Sequence, residues 1–232
     1  MNSALSFSVV IVSYNGRDFL RKSLKGLEQS AWRPNKIVVI DDHSGDDTGA
    51  MVKKEFPYVE YIYNERNIGP TASRNKGAKL ALGEYVAFLD NDIIVRQDSL
   101  ERLISFLDAT EDAGMVGGKL LNERGEKVFW NMGHRPNFIR AAVGRILHFF
   151  LQPFLTYSTR AGNFLMNFSL NYWGYDRSIP VGWVVERFIA VRLEPFRRVR
   201  DFDEHFLCFL KGRIFPNDFA RLVIRHTLRI TP

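Results

Sequence analysis

The sequence predicts an α/β fold: a doubly wound, mostly parallel sheet with helices on both faces. Three observations carry this. Short, nearly continuous runs of apolar and β-branched residues alternate with helix-period segments over residues 7–118, the pattern of strands buried on both faces. Successive runs are separated by single helix-length segments, which implies right-handed crossovers between parallel strands. Polar side chains gather after the carboxyl ends of the runs, where open α/β sheets bind ligands.

The first strand is residues 7–12 (FSVVIV), ended by Ser13-Tyr14-Asn15-Gly16. Residues 18–28 set Phe19, Leu20, Leu24 and Leu27 at helical spacing, giving the first βα unit. Residues 37–40 (IVVI) form a second buried strand, closed by Asp41-Asp42-His43-Ser44, and Gly45-Asp46-Asp47-Thr48 leads into a helix carrying Met51 and Val52. Residues 59–63 (VEYIY) form a third, closed by Asn64. Asn67-Ile68-Gly69-Pro70 is a turn that brings Pro to a first helical position. The helix it opens runs over about 71–82, with Arg74 and Asn75 in its first turns. The fourth strand lies in residues 84–92 (EYVAFLDND), an amphipathic helix follows over 99–107, and Met115-Val116 before Gly117-Gly118 forms a fifth strand.

The fourth strand ends in Asp90 and Asp92, with only Asn91 between them. Two hard oxygen ligands so placed suit Mg2+ or Mn2+, which take one or two protein carboxylates plus phosphate oxygens and water. An isolated Asp-x-Asp is equally at home in a polar turn. Asp41 and Asp42 suit ribose hydroxyls or a base edge, because ionised carboxylates only accept hydrogen bonds. Helix capping is the competing use for Asp42 and Asp46. Arg74 brings a fixed cation and the positive end of a helix dipole to the same rim, an arrangement that holds a diphosphate; the alternative is a surface ion pair with Glu65 or Glu84. Ser13, Tyr14, Asn64 and Asn67 also follow strand ends. Independent surface turns would populate both rims, so the one-sidedness favours a ligand crevice, and its chemistry is that of a nucleotide diphosphate. There is no Gly-x-x-x-x-Gly-Lys-Ser/Thr loop and no Gly-x-Gly-x-x-Gly after the first strand, which argues against P-loop nucleotidases and dinucleotide oxidoreductases.

Composition sets outer bounds. With 232 residues, 46% of them hydrophobic, the chain can bury a sizeable core. Its single cysteine, Cys208, forms no intrachain disulfide, in keeping with a reducing compartment. Residues 1–12 carry no basic segment of a secretory signal, and no apolar run reaches the roughly 18 residues of a membrane span. Charge divides the chain. Residues 1–120 hold 15 Lys/Arg against 17 Asp/Glu, a net of −2, whereas residues 121–232 hold 17 against 9, a net of +8. Fifteen of those 17 are Arg, which suits phosphate groups or an anionic membrane surface. A nucleic-acid partner is not expected, for want of an RNA-binding motif or zinc finger.

Four motifs in order now carry a resemblance: Val10-Ile11-Val12-Ser13-Tyr14-Asn15-Gly16; Ile40-Asp41-Asp42-His43-Ser44 with Asp47-Thr48; Asn67-Ile68-Gly69 with Arg74-Asn75-Lys76-Gly77; and Phe88-Leu89-Asp90-Asn91-Asp92. Residues 7–118 resemble the amino-terminal half of a family 2 glycosyltransferase with the Rossmann-like GT-A fold, in a subgroup similar to bacterial rhamnosyltransferase-like enzymes of cell-surface polysaccharide synthesis. The resemblance implies that Ser13, Tyr14, Asp41, Asp42, Asn67 and Asp90 hold a nucleotide-sugar and that Arg74 sits by its diphosphate. It also implies that Asp90 and Asp92 form the metal-binding Asp-x-Asp motif. Residues 1–120 are then the donor half and 121–232 the acceptor-side half.

The second half departs from the pattern. Residues 139–155 are apolar with interspersed Arg140, Arg145 and His148, suited either to a membrane surface or to a helix covering the sheet. Phe164, Phe168, Tyr172, Trp173 and Tyr175 could stack on a sugar or fill a core. Residues 181–192 resemble the family's acceptor-side strand segment, but Glu186-Arg187 stands where two small residues are expected, and bulky charges there could obstruct an acceptor. Asp201-Phe202-Asp203-Glu204-His205-Phe206 resembles the family's Gly-Phe-Asp-Glu-x-Phe, with Asp201 in place of the glycine. The Glu-Asp pair that normally follows and supplies the general base aligns with Lys211 and Gly212. Asn217-Asp218-Phe219 makes Asp218 a fallback base, with Glu204 a weaker candidate. The chain stops at Pro232, short of the last helix the resemblance implies, so the acceptor-side portion is expected to be incomplete or truncated.

Three functions compete. The leading one is an inverting glycosyltransferase using Mg2+ or Mn2+, a nucleotide-diphosphate sugar and a lipid-linked or polysaccharide acceptor, cytoplasmic and peripheral on the inner face of the plasma membrane. The second is a pseudoenzyme that binds nucleotide-sugar without turnover. The third, a sugar nucleotidyltransferase, requires a Gly-rich amino-terminal loop that this sequence lacks.

Overall fold

The apolar run at the start of the chain becomes the central strand of the sheet. The computed structural model describes residues 5–122, 124–125, 132–133, 139, 142–143, 146, 149, 178–181, 183–204 and 222–224. β1 (Phe7–Ser13) is buried along its whole length and pairs in parallel with β2 (Lys36–Asp41) and with β4 (Tyr85–Asp90). β3 (Glu60–Tyr63) adds in parallel to β2. Alternate β1 side chains enter opposite cores: Phe7, Val9 and Ile11 one, Val10 the other. Burial on both faces is the reason the run is continuous rather than alternating.

Helices cover both faces. α1 (Arg17–Glu28), α2 (Thr48–Glu55) and α4 (Ser99–Ala109) bury Leu20, Leu24, Leu27, Met51, Val52, Leu103 and Leu107 against one. α3 (Pro70–Leu80) and α5 (Leu193–Arg198) bury Ala78, Leu193 and Phe196 against the other. α3 lies so close to β1 that a Cβ on Gly77 would fall 2.3 Å from Val10 Cγ1, a close approach that requires glycine. Two details differ from the sequence expectation. Phe19 turns outward from α1, 58% exposed, because the buried stripe starts one residue later at Leu20. α3 stops at Leu80 rather than Leu82: Ala81 is extended and Gly83 takes φ 92°, which reverses the chain into β4.

The parallel half ends at β4. β9 (Phe188–Arg192), from the second half of the chain, lies antiparallel between β4 and β5 (Met115–Gly117). β10 (Leu222–Ile224) runs parallel to β5, and β7 (Ile179–Val181) antiparallel to β10. Among the described residues the sheet order is β3-β2-β1-β4-β9-β5-β10-β7, with β6 (Met132–Gly133) and β8 (Trp183–Val184) forming a separate two-stranded ladder. The insertion of β9 matters most for the site. Phe188 pairs with Leu89, and Asp90 N donates to Arg187 O at 3.0 Å, so the residue before β9 sits across from the first aspartate of Asp-x-Asp. Among the described residues no helix is long and apolar enough to cross a membrane.

Candidate functional site

Parallel register aligns the strand ends: Ser13 is the partner of Asp41, and Val12 of Asp90. Asp41 and Asp42 are 1% and 2% exposed, and carboxylates so buried need hydrogen-bond donors. Asp41 Oδ1 accepts from Ser44 N at 2.8 Å, and Oδ2 from the Tyr61 hydroxyl at 2.5 Å. Burial and the bond to this carboxylate push the Tyr61 hydroxyl pKa well above its ordinary value, so it remains a donor. Asp42 Oδ1 accepts from Asn64 Nδ2 and Ile68 N, and Oδ2 from Gly69 N, at 2.9 to 3.0 Å. Asp42 therefore anchors the turn that opens α3. Asn67 tightens the same turn, its Oδ1 accepting from Gly69 N. Helix capping does not describe Asp42; Asp46, one residue before the Asp47 N-cap of α2, accepts from Thr48 N and Oγ1 at the start of α2 and from Arg17 N at the start of α1. Tyr14 is 54% exposed at the mouth of the rim. Ser13 is buried beneath it and accepts from Asn91 Nδ2 through its hydroxyl.

Arg74 pairs with neither Glu65 nor Glu84. It is buried, and its Nη2 meets Asp90 Oδ1 at 2.5 Å, while its Nε is buried without a hydrogen-bond partner. Arg187 takes the other side of the aspartates: its Nη2 lies 2.8 Å from Asp92 Oδ2, and its Nε lies 3.5 Å from Asp90 Oδ2. The Oδ2 atoms of Asp90 and Asp92 thus both face the Arg187 guanidinium. Two hard carboxylates fit Mg2+ or Mn2+. Among the described residues no cluster of three His, Cys, Asp or Glu side chains is disposed to hold a metal, so phosphate oxygens and water would complete the coordination. A cavity of about 530 Å³ opens beside Asp92, its lining including Phe19, Lys22, Arg96 and Arg124.

On the acceptor side, Glu204 is tied down. Its Oε1 accepts from Asn75 Nδ2 at 2.9 Å, and the same Asn75 amide exchanges hydrogen bonds with the backbone of Phe202 at 2.8 and 3.0 Å. Phe202 packs on Phe88 and Phe196. Asp201, at the glycine position of the resembled motif, has φ 64°, a left-handed conformation that glycine adopts without cost. Its Oδ1 is buried without a hydrogen-bond partner, and burial raises its carboxyl pKa. Asp218, Lys211 and Gly212 lie outside the described residues, as does the aromatic set from Phe164 to Tyr175.

The site thus brings together Ser13, Asp41, Asp42, Asp90 and Asp92 from three strand ends and Arg74 from α3. Sequence reasoning missed three contributors. Tyr61 lies opposite Val39 in the β2–β3 register, and only its long side chain brings its hydroxyl to Asp41, so no local signal reports it. Asn75 reads from the sequence only as a residue of the first turns of its helix, and its partners Phe202 and Glu204 lie in the second half of the chain. Arg187 was flagged as a departure, but its contact with the aspartates depends on strand pairing that no local signal reports.

A mixed, doubly wound sheet with helices on both faces and an acidic strand-end rim is the architecture shared with GT-A proteins. The chain belongs to glycosyl transferase family 2, whose family model matches residues 8–173. It is 31% identical over 121 residues to the GalNAc(5)-diNAcBac-PP-undecaprenol beta-1,3-glucosyltransferase of Campylobacter jejuni, a match covering 50% of this chain and 38% of that one. The matched stretch spans well under half the length of the curated relatives. Among solved structures, S. aureus TarS superposes with a TM-score of 0.62 at 20% identity, over 95% of this chain and 35% of that one. The mannosyltransferase PcManGT of Pyrobaculum calidifontis, solved with GDP-Man and Mn2+, superposes with a TM-score of 0.54 at 17% identity, over 85% and 47%. These two likenesses establish the fold.

Proposed function

We propose that the protein is an inverting, metal-dependent glycosyltransferase that moves a sugar from a nucleotide-diphosphate sugar to a lipid-linked or polysaccharide acceptor in cell-surface glycan synthesis. The observation that carries this reading is the meeting of Asp90 and Asp92 on the one Arg187 guanidinium, beside a buried Arg74 and the acidic end of β2. In this reading residues 1–120 form the donor half and 121–232 the acceptor side. Ser13, Tyr14, Asp41, Asp42 and Asn67 hold the nucleoside, and Arg74 faces the diphosphate with its free Nε–H. Asp90 and Asp92 hold Mg2+ or Mn2+, which when bound neutralises charge on the departing diphosphate. The names of a Campylobacter relative acting on a PP-undecaprenol substrate and of a GT-A neighbour bound to GDP-Man and Mn2+ support the donor, metal and acceptor classes. The basic lining beside Asp92, with Lys22, Arg96 and Arg124, suits an anionic acceptor.

Attack by the acceptor hydroxyl needs a base. Asp218 is assigned that task, because Glu204 already accepts from Asn75. A pseudoenzyme that binds donor without turnover is the second reading, favoured by Lys211 and Gly212 at the expected base positions. A thermal-shift screen of nucleotide diphosphates with Mn2+ tests the donor site: stabilisation is expected, and Asp92→Ala should abolish it. No shift from any nucleotide in the parent protein would reject the donor reading. Donor hydrolysis that disappears in Asp218→Asn supports the transferase, whereas binding without any turnover supports the pseudoenzyme.

The reading extends to a cytoplasmic protein that rests on an anionic membrane face. Ile139, Val143, Ile146 and Phe149 are helical and exposed, Phe149 by 75%, and Arg140 and Arg145 are interspersed among them in sequence, the make-up of an interfacial segment. The protein should float with vesicles containing phosphatidylglycerol and do so less after Phe149→Asp; unchanged flotation of the variant would reject the contact.

A further inference from the structure

We infer that Arg187 is a resident counter-cation of the Asp90/Asp92 pair, which the divalent ion must displace, so that metal and nucleotide diphosphate bind this protein as a coupled pair. This rests on the donor-site reading above and adds a residue to it.

In the ligand-free protein the aspartate pair is already neutralised. Arg74 meets Asp90 Oδ1 on one side, and Arg187 reaches Asp92 Oδ2 and Asp90 Oδ2 on the other. Two carboxylates face two guanidiniums, leaving no net negative charge to attract a dication. The two arginines are not equivalent. Arg74 is fixed, its side chain only 8% exposed. Arg187 lies in the turn before β9 with its side chain 39% exposed, so its head group can leave for solvent or a new partner while its backbone stays bonded to Asp90 N. A divalent ion held by both carboxylates would need the side of the pair that Arg187 engages, so the two cations would compete for it.

Displacement frees one positive charge beside the space a diphosphate would enter next to Arg74. A nucleotide diphosphate supplies the anion that receives it, and guanidinium groups suit phosphate oxygens. Metal alone must therefore compete with Arg187 without compensation, whereas a diphosphate arriving with the metal supplies anionic oxygens to the displaced guanidinium. Coupling of this kind is reciprocal: nucleotide strengthens metal binding by the factor by which metal strengthens nucleotide binding.

The test is a Mn2+ titration followed by electron paramagnetic resonance, on the full chain, without nucleotide and with saturating UDP or GDP. It compares the parent with Arg187→Ala and Arg187→Gln, both of which keep the backbone bond. In the parent, Mn2+ alone should bind weakly and either diphosphate should tighten it. In both variants Mn2+ alone should bind at least about fivefold tighter, the lower end of ordinary coupling between sites, and the further gain from nucleotide should shrink. Equal Mn2+ affinity in parent and variants, with the nucleotide effect intact, overturns the inference while leaving the donor site standing. Absence of both Mn2+ and nucleotide binding in all three proteins overturns the donor-site reading and the inference with it.

Discussion

The donor rim and the acceptor side differ in how their polar groups are held. On the rim, buried carboxylates meet several donors each: Asp41 is held by Ser44 and Tyr61, and Asp42 by Asn64, Ile68 and Gly69. On the acceptor side, Asp201 sits at a left-handed position with a buried oxygen unpaired, and the Asn75 amide binds both the Phe202 backbone and the Glu204 carboxylate. A fully satisfied network is rigid, and a partly satisfied one is where a chain can change. The contrast teaches that the donor geometry is built into the parallel half, whereas the acceptor side joins that half through β9 and reaches the rim through Asn75 and through the Arg187 contact with Asp90 and Asp92.

Breaking those attachments should produce graded effects. Asp90→Ala removes the partner of buried Arg74 and one carboxylate of the pair. Chemical denaturation should register a loss of about 2 kcal/mol, below the usual range for a broken buried pair because Asp90 is itself 28% exposed. A change under about 0.5 kcal/mol, the size of an ordinary surface substitution, would mean the pair does not fix the rim. Asn75→Ala leaves the Phe202 backbone N–H and C=O unmatched and frees Glu204. It should cost roughly 1 to 2 kcal/mol, and hydrogen exchange should rise at residues 202–204 but not at Asp41 or Asp42. Exchange rising equally at both places would erase the distinction between the two regions.

The smallest effect should be a gain. Asp201→Gly relieves a positive φ and removes a buried carboxyl, and is expected to stabilise the protein by about 1 kcal/mol at neutral pH. The pH dependence has a definite sign. Burial, opposed by Lys79 and Arg197, raises the folded pKa of Asp201 above its ordinary 3.8. Its favourable contribution is therefore complete below that value and is lost as pH rises through the folded pKa. The advantage of the glycine variant should shrink toward its backbone part as pH falls into that window; an advantage independent of pH would assign all of it to the backbone.

Sequence legibility follows the same division. Strands β1 to β4 could be read because each is buried on both faces or ends abruptly in polar residues, and the helix from Pro70 because proline and glycine mark its start. Asp90, Asp92 and Arg74 were legible as a group, since parallel βα units necessarily place strand ends on one rim. Arg187 was not, because its place beside Asp90 follows from an antiparallel strand inserted from 99 residues further along the chain, Leu89 against Phe188 at the nearest pair. Nor was Phe19, whose helical spacing permits burial but whose position on α1 lies one step off the buried stripe.

Crystals grown with Mn2+ and the nucleotide diphosphate that gives the largest thermal shift, measured at the manganese absorption edge, test the central claim most directly. The account predicts one anomalous peak shared by the Asp90 and Asp92 carboxylates, with the Arg187 side chain turned away from Asp92. A nucleotide bound at the rim with no peak at this pair, and Arg187 still on Asp92, would contradict it.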